Sequence, residues 1–247
     1  MFKFLKRKSF FVRHIFLVTF FLDFFSLSGR AVCPFDYESI RYDYTKQDTL
    51  QGNQILYNGR MWRNLYHRIK EDQFLFSTEF LPGSVTIGGK TFKDLILRYD
   101  IYNDEIMTPS LQGTILQLNK EMVDSFTIVF LNKTYHFINV QIDSLRGFNG
   151  YVNILYKGKT ALYVKYKKEI ELLAVERKYD MFYQKHRIYL VKDGIVNLVT
   201  GRKDFFNLLG EYKLQIRSFI RKNKLKVTKK EPETLIPVVK FYNGLDH

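Results

Sequence analysis

Two neighbouring stretches decide the fold: FTIVFLNKTYHFINV at residues 126–140 and YVNILYKGKTALYVKY at residues 151–166. In each, runs of β-branched and aromatic residues flank a short turn, Asn132-Lys133 in the first and Lys157-Gly158 in the second. Such turns favour β-hairpins, because Asn and Gly adopt at little cost the left-handed backbone that the turns require. The pattern therefore predicts antiparallel sheet across Ser84 to Tyr166.

Turns of the same type continue the pattern along the chain in both directions. The predicted hairpin turns are Asn58-Gly59, Gly88-Gly89, Asn132-Lys133, Lys157-Gly158 and Asp193-Gly194. Phe74 to Phe76 is predicted to be a short buried strand, and Glu169 to Val175 and Arg187 to Lys192 are predicted to be further strands. Because short connections favour pairing between successive strands, we expect a mostly antiparallel β-meander, as a sheet or an open barrel, over residues 55–200.

Beyond residue 200 the spacing of apolar residues becomes that of a helix. The residues Phe205, Leu209, Tyr212, Ile216 and Phe219 recur at intervals of four, three, four and three, which places them on one helix face. A second helix is predicted over Glu233 to Asn243, with Pro237 in its first turn and Gly244 at its end. We expect both helices of the segment 201–247 to pack on the sheet, which gives an α+β fold.

The N-terminus has the pattern of a signal peptide. Basic residues up to Arg13 precede an apolar run from Ile15 to Phe25, and small residues follow. This run of 11 residues is shorter than the roughly 20 that span a bilayer. We therefore expect residues 1–31 to be a signal peptide that is cleaved after Ser28 or Ala31. An uncleaved membrane anchor is the alternative, because an acidic residue interrupts the apolar run.

Cys33 is the only cysteine, so the chain forms no intramolecular disulfide. This is compatible with a bacterial periplasm and argues against a small disulfide-stapled secreted domain. Acylation of Cys33, as in a lipoprotein, is poorly supported, because Arg30-Ala31-Val32 lack the aliphatic and small residues expected before the acylated cysteine. The polar, tyrosine-rich segment 32–54 is predicted to be an extended lead-in to the β domain.

The chain carries a formal net charge of +14, which suggests an anionic partner. The first 30 residues hold six Lys or Arg and one Asp, so +5 of this charge lies there and +9 on the rest. The densest basic runs, Lys157 to Lys168 and Arg217 to Lys230, are interpreted as solvent-exposed faces of a hairpin and a helix. We therefore expect no nucleic acid as partner.

Acidic residues cluster at Asp94, Asp100, Asp104 and Glu105. The cluster lacks the glycine and the alternating oxygen ligands of an EF-hand loop. It fits the end of a half-buried strand and the turn that follows, so we predict a structural role for it.

The histidines His67, His136 and His186 are isolated, without the spacings that bring metal ligands to one face. No nucleophile motif, phosphate-binding loop or dinucleotide fingerprint is present in the sequence. We therefore predict no catalytic, cofactor-binding or metal-binding residues.

Several longer motifs resemble those of a family of exported proteins of unknown function from Bacteroidota-type Gram-negative bacteria. The motifs are Asn58-Gly59-Arg60, FLFS at 74–77, RYDIYNDE at 98–105, GYVNILYKGK at 150–159, FFNLLGEYKLQIRSFIRKNKL at 205–225 and FYNGL at 241–245. The resemblance covers most of the chain after the leader, and it implies export to the periplasm or the outer membrane. These motifs are structural, so the resemblance implies no chemistry.

Three classes of function remain open. The first is a noncatalytic cell-envelope protein whose sheet and helices form a binding or assembly surface. The second is a carrier or sensor of an anionic or lipidic envelope component, which the basic charge favours. The third is a hydrolase whose site is assembled from distant residues, for which Asp100, Asp104 and His136 are the candidates.

Export can be tested by cell fractionation combined with mass spectrometry of the N-terminus. We expect the protein outside the cytosol with a mature chain that begins at Gly29 or Val32, because signal peptidase cleaves after small residues. Protein found intact from Met1 in the cytosol would contradict the prediction.

Overall fold

The structure of the protein is a computed structural model that describes residues 55–110, 112–141 and 147–245. The predicted signal peptide, the lead-in over residues 32–54 and Cys33 lie outside the described residues, so these expectations stay predictions. Within the described ranges, no helix is long and apolar enough to cross a membrane.

In the described ranges, eleven antiparallel strands form one open sheet in the order β1-β5-β4-β3-β2-β6-β7-β8-β9-β10-β11. The strands are β1 (Arg60–Met61), β2 (Leu81–Ile87), β3 (Lys90–Asp100), β4 (Glu105–Pro109), β5 (Ile115–Gln117), β6 (Val123–Phe130), β7 (Lys133–Val140), β8 (Gly150–Tyr156), β9 (Ala161–Val175), β10 (Tyr179–Lys192) and β11 (Ile195–Val199). The predicted antiparallel sheet is thus confirmed, and it is not closed into a barrel. From β6 to β11 every strand pairs with its successor, whereas β2 pairs with β6.

Four of the five predicted hairpins are present. The turns at Gly88-Gly89 and Asp193-Gly194 lie where they were predicted, since Ile87 pairs with Lys90 and Lys192 pairs with Ile195. The β6–β7 turn lies one residue earlier than predicted and is formed by Leu131 and Asn132, both of which have positive φ. The turn at Lys157-Gly158 is wider, because β9 begins only at Ala161.

The predicted hairpin at Asn58-Gly59 is wrong. Arg60–Met61 pair with Gln117 and Leu116 of β5, more than 50 residues away, and not with residues 55–57. Gly59 lies directly against the carbonyl of Gln117, where any side chain would collide. Glycine at this position therefore allows the backbone to approach a distant strand closely, and this contact outweighs the local preference for a turn.

Other strand predictions differ from the structure in extent. Phe74 and Leu75 are buried as predicted, but they form only an isolated bridge and one hydrogen bond to β3. Glu169 to Val175 and Arg187 to Lys192 are the ends of the long strands β9 and β10 and not separate strands. Their runs lack turn residues, so each strand continues.

Strand β3 joins two parts of the sheet. Its residues 90–97 pair with β2, whereas residues 98–100 pair with β4. The last part brings Tyr99 onto the rings of Phe126 and Tyr151 from β6 and β8, at centroid distances of 5.1 and 5.8 Å. The rings of Phe126 and Phe137 stack at 4.6 Å. These four aromatic side chains fill the centre of the core.

Between residues 200 and 245, the structure describes three short α-helices: α1 (Arg202–Leu208), α2 (Lys213–Lys222) and α3 (Ile236–Asn243). Short 3₁₀ segments precede α2 at Gly210–Tyr212 and α3 at Pro232–Leu235. The single helix predicted over Phe205 to Phe219 is wrong, because the chain breaks between α1 and α2 at Gly210, which has φ +47°. The last helix ends at Asn243 with Gly244 as its C-cap, as predicted, but it begins at Ile236, three residues later than predicted, with Pro237 in its first turn.

The predicted burial of the helical apolar face is confirmed. Phe205, Leu209 and Ile216 are fully buried in the same core cluster as the strand residues. At the end of α3, the Asn243 side chain accepts a hydrogen bond from the backbone N–H of Thr160 and donates one to its carbonyl, both at 2.8 Å. The helices are therefore part of the domain and not an appendage.

We expect Phe205→Ala to lower the free energy of unfolding by about 3 to 5 kcal/mol, because it opens a cavity under α1. Leu214→Ala, at a position 80% exposed on α2, is the control and should change it by at most about 0.5 kcal/mol. Urea denaturation measures both, and truncation after Gly201 should leave an unfolded or aggregated chain. Equal effects of the two substitutions, or an unchanged melting curve after truncation, would show that the helices do not support the sheet.

Candidate functional site

The predicted acidic cluster lies at the turn between β3 and β4. Asp100 is fully buried and accepts hydrogen bonds from the backbone N–H groups of Tyr102 and Asn103, both at 2.9 Å, and from the Asn103 amide at 2.8 Å. Burial raises the pKa of Asp100, and these hydrogen bonds oppose the rise. The carboxylate thus shapes the turn.

Asp104 gathers two lysines from distant parts of the chain. Its Oδ2 lies 2.6 Å from Lys120 Nζ and 3.0 Å from Lys165 Nζ, and it accepts a 3.3 Å hydrogen bond from the Tyr151 N–H. Its Oδ1 accepts a 2.5 Å hydrogen bond from the hydroxyl of Tyr99. Asp104 therefore ties the β3–β4 turn to the segment before β6 and to strands β8 and β9.

The electrostatics of this cluster follow from one carboxylate that serves two cations. Burial alone would raise the pKa of Asp104, but the charge of Lys165 and the hydrogen bond and charge of Lys120 overcome it and lower the pKa. Burial raises the pKa of the Tyr99 hydroxyl, and the Asp104 carboxylate raises it further. The tyrosine therefore stays protonated and acts as a hydrogen-bond donor.

Gly150 makes this arrangement sterically feasible. It has φ +64°, and a Cβ there would collide with the Asp104 carboxylate and lie 2.9 Å from Lys165 Nζ and 3.0 Å from Lys120 Nζ. Only glycine allows both the backbone conformation and the close approach. The four donors around Asp104 indicate the structural role that was predicted from the sequence.

The remaining predicted acidic residues have local roles. Glu105 forms a 2.9 Å ion pair with Arg60, whose side chain is 73% exposed. Asp94 has φ +55° and lies on the exposed side of β3. Neither residue joins Asp100 and Asp104 in a shared site.

Neither His136 nor His186 joins the acidic cluster at the β3–β4 turn. His136 is exposed on β7 beside the buried Phe137, so its side chain points away from the inner face that holds Tyr99 and Asp104. His186 Nε2 is 2.8 Å from the carbonyl of Lys229. Across the described residues, no group of three His, Cys, Asp or Glu side chains has an arrangement that could hold a metal ion.

A basic groove of about 860 Å³ lies between α1, α2 and the chain that leaves α2. Its lining consists of Arg202, Lys203, Phe206, Lys213, Arg217, Ile220, Arg221, Lys224 and Leu225. Six of these nine residues are basic and none is acidic. We call this feature the basic groove.

Helix geometry places the cations of the basic groove in line. Lys213, Arg217 and Arg221 are four residues apart on α2, so they share one face. The adjacent face of α2 is buried through Ile216 and Ile220, and Ile220 also contributes to the floor of the groove. This burial fixes the orientation of α2, so the basic row faces solvent in a defined position.

The groove cations lack acidic partners among the residues that the structure describes. Lys213 donates to the Asn207 amide at 3.3 Å, and the Arg202 guanidinium lies 5.7 Å from the Phe206 ring centroid, but none of the six forms an ion pair. By contrast, Lys226 just beyond the groove pairs with Glu231 at 3.1 Å. Like charges four residues apart on a helix repel one another. An anion in the groove would therefore relieve a repulsion that no acidic side chain described by the structure compensates through an ion pair.

The sequence pointed to only part of this groove. Arg217 to Lys230 was interpreted as a solvent-exposed helix face, and Arg217 and Arg221 are indeed exposed. The other wall, with Arg202 and Lys203, depends on the break at Gly210. That glycine, inside an otherwise helical pattern, was the one available signal of the break.

Comparisons of the chain with protein-family models, with curated proteins and with solved structures found no match. The resemblance to exported proteins of Bacteroidota-type bacteria therefore stays a prediction.

We expect Asp104→Asn to lower the free energy of unfolding by about 3 kcal/mol, because it leaves two partly buried lysines without a counter-charge. Since the folded pKa of Asp104 is lowered, its contribution is present above the unfolded value of about 3.9 and is lost as the pH falls through the folded pKa. The difference between wild type and variant should therefore shrink at acidic pH, as measured by urea denaturation from pH 7 to pH 3.

Glu105→Gln is the control, because it removes a neighbouring carboxylate whose partner is exposed. It should cost at most about 1 kcal/mol. A cost for Asp104→Asn no larger than this, or one that is independent of pH, would contradict the assigned role.

Proposed function

We propose that the protein is an exported, noncatalytic protein of the cell envelope that binds an anionic envelope component in the basic groove. The observation that carries the proposal is the set of six basic side chains that line one groove without an acidic neighbour in the lining. A concave surface of one charge sign concentrates ligands of the opposite sign and speeds their association.

The state of the acidic residues supports a noncatalytic role. Asp100 is held by three hydrogen bonds in its own turn, and Asp104 is held by four donors. A general acid or base must reach the proton that it transfers, and these carboxylates are committed to protein groups. His136, the third candidate for a hydrolase, points away from them.

The groove recognises the charged part of the ligand more than any acyl chain. The apolar floor is largely covered by protein already, since Phe206 is 6% and Ile220 is 8% exposed. The inner face of the sheet is filled by the aromatic core around Phe126 and Phe137. This arrangement favours a sensor or binding protein for an anionic group over a carrier that encloses lipid.

We expect purified full-length protein to bind fluorescein-labelled dextran sulfate but not labelled neutral dextran, with an affinity that falls as salt is added. Arg217→Gln combined with Arg221→Gln should weaken this binding at least about tenfold, because each removes a charge from the row. Fluorescence anisotropy at several salt concentrations measures the effect.

The matched control is Arg63→Gln combined with Arg68→Gln. Both arginines are exposed and lie outside the groove lining, and their loss makes the same change in net charge. This variant should bind within about twofold of wild type, and melting curves should show that both variants are folded. Equal weakening by the two double substitutions would show that general charge, and not the groove, binds the probe.

A further inference from the structure

The spacing of its cationic side chains distinguishes the basic groove from a binding site for one small anion. Lys213, Arg217 and Arg221 follow one another at four-residue intervals on α2, and an α-helix rises about 1.5 Å per residue, so neighbouring side chains start about 6 Å apart. The three positions together span about 12 Å. Lys224 continues the row beyond the helix, and Arg202 and Lys203 face it from α1.

A row of this length matches an extended ligand. One phosphate or carboxylate group forms hydrogen bonds with one or two cations, and the remaining cations would still repel each other. A ligand with several anionic groups spaced by about one helical turn would pair with successive side chains. Each arginine can offer two parallel N–H donors to such a group.

Buried side chains anchor both walls of the groove to the core. α2 is held by the buried side chains of Ile216 and Ile220, and α1 is held by Phe205 and Phe206, which are 0% and 6% exposed. Both walls are therefore oriented before a ligand arrives, which lowers the entropic cost of binding. Cations that project from fixed backbone positions discriminate between ligands by the spacing of their charges.

The residues that line the groove also limit the kind of backbone that the ligand can have. The only aromatic side chain of the groove, Phe206, is 6% exposed and offers no free ring on which a nucleobase could stack. The covered apolar floor offers little to an acyl chain. A polar, uncharged backbone with regularly spaced acidic groups fits these conditions best.

We infer that the groove binds a short acidic oligosaccharide, with carboxylate or phosphate groups on successive sugars, through the row Lys213, Arg217 and Arg221. This inference rests on the proposed function. It adds to that function the class of ligand and the spacing of the ligand's charged groups. The row on α2 is the part of the groove that discriminates between ligands by the spacing of their charged groups. The two cations of α1 close the groove from the other side.

The test compares galacturonate with its linear trimer, with neutral maltotriose as the uncharged reference. By isothermal titration calorimetry with full-length protein, the trimer should bind at least about 30-fold more tightly than the monomer, because linked groups bind with a high effective concentration. In the protein with Arg217→Gln and Arg221→Gln this ratio should fall below about threefold. The protein with Arg63→Gln and Arg68→Gln should keep it.

Each other outcome overturns a defined part of the inference. Equal affinity for monomer and trimer, or binding of dextran sulfate without binding of the trimer, would overturn the oligosaccharide class while the proposed function stands. Tighter binding of a short single-stranded oligonucleotide than of the trimer would replace the class with nucleic acid. If the wild-type protein binds neither the trimer nor dextran sulfate, the proposed function itself is overturned.

Discussion

The stacked rings of Phe126 and Phe137, with Tyr99 against them, are the contact on which the rest of the fold depends. Phe126 and Phe137 come from neighbouring strands, but Tyr99 arrives from the far end of β3, after that strand has left its partner β2. Aromatic pairs contribute about 0.5 to 1.5 kcal/mol each beyond the burial of their area. Here they also hold the end of β3 against β6, β7 and β8.

The polar cluster around Asp104 stands at the edge of this aromatic centre. The ring of Tyr99 packs in the core, while its hydroxyl donates to Asp104. The position of one tyrosine is thereby coupled to two lysines and to the start of β8. Apolar packing brings the segments together with little directional preference, and the charged cluster then selects one arrangement because its hydrogen bonds require defined geometry.

Local patterns in the sequence predicted local structure well. The turns at Gly88-Gly89 and Asp193-Gly194 depend on a few adjacent residues, and they were placed correctly. Asn58-Gly59 carries an equally strong turn signal, but its glycine is needed for a contact with Gln117 that no local pattern reports. The structural role of Asp104 was predicted from its surroundings, whereas its partners Lys120 and Lys165 come together only through the topology. The groove was missed for a similar reason, because one wall becomes visible only when the helix is broken at Gly210.

The two hydrogen bonds between Asn243 and Thr160 have a consequence for the time at which the chain can fold. They join residues 83 positions apart, since Thr160 directly precedes β9 and Asn243 is the last residue of α3. The core that α3 covers is therefore incomplete until α3 has been synthesised. Long-range contacts of this kind delay folding because the loop between them must close first. The strand surface that α3 covers would therefore stay exposed to water until α3 has docked on it.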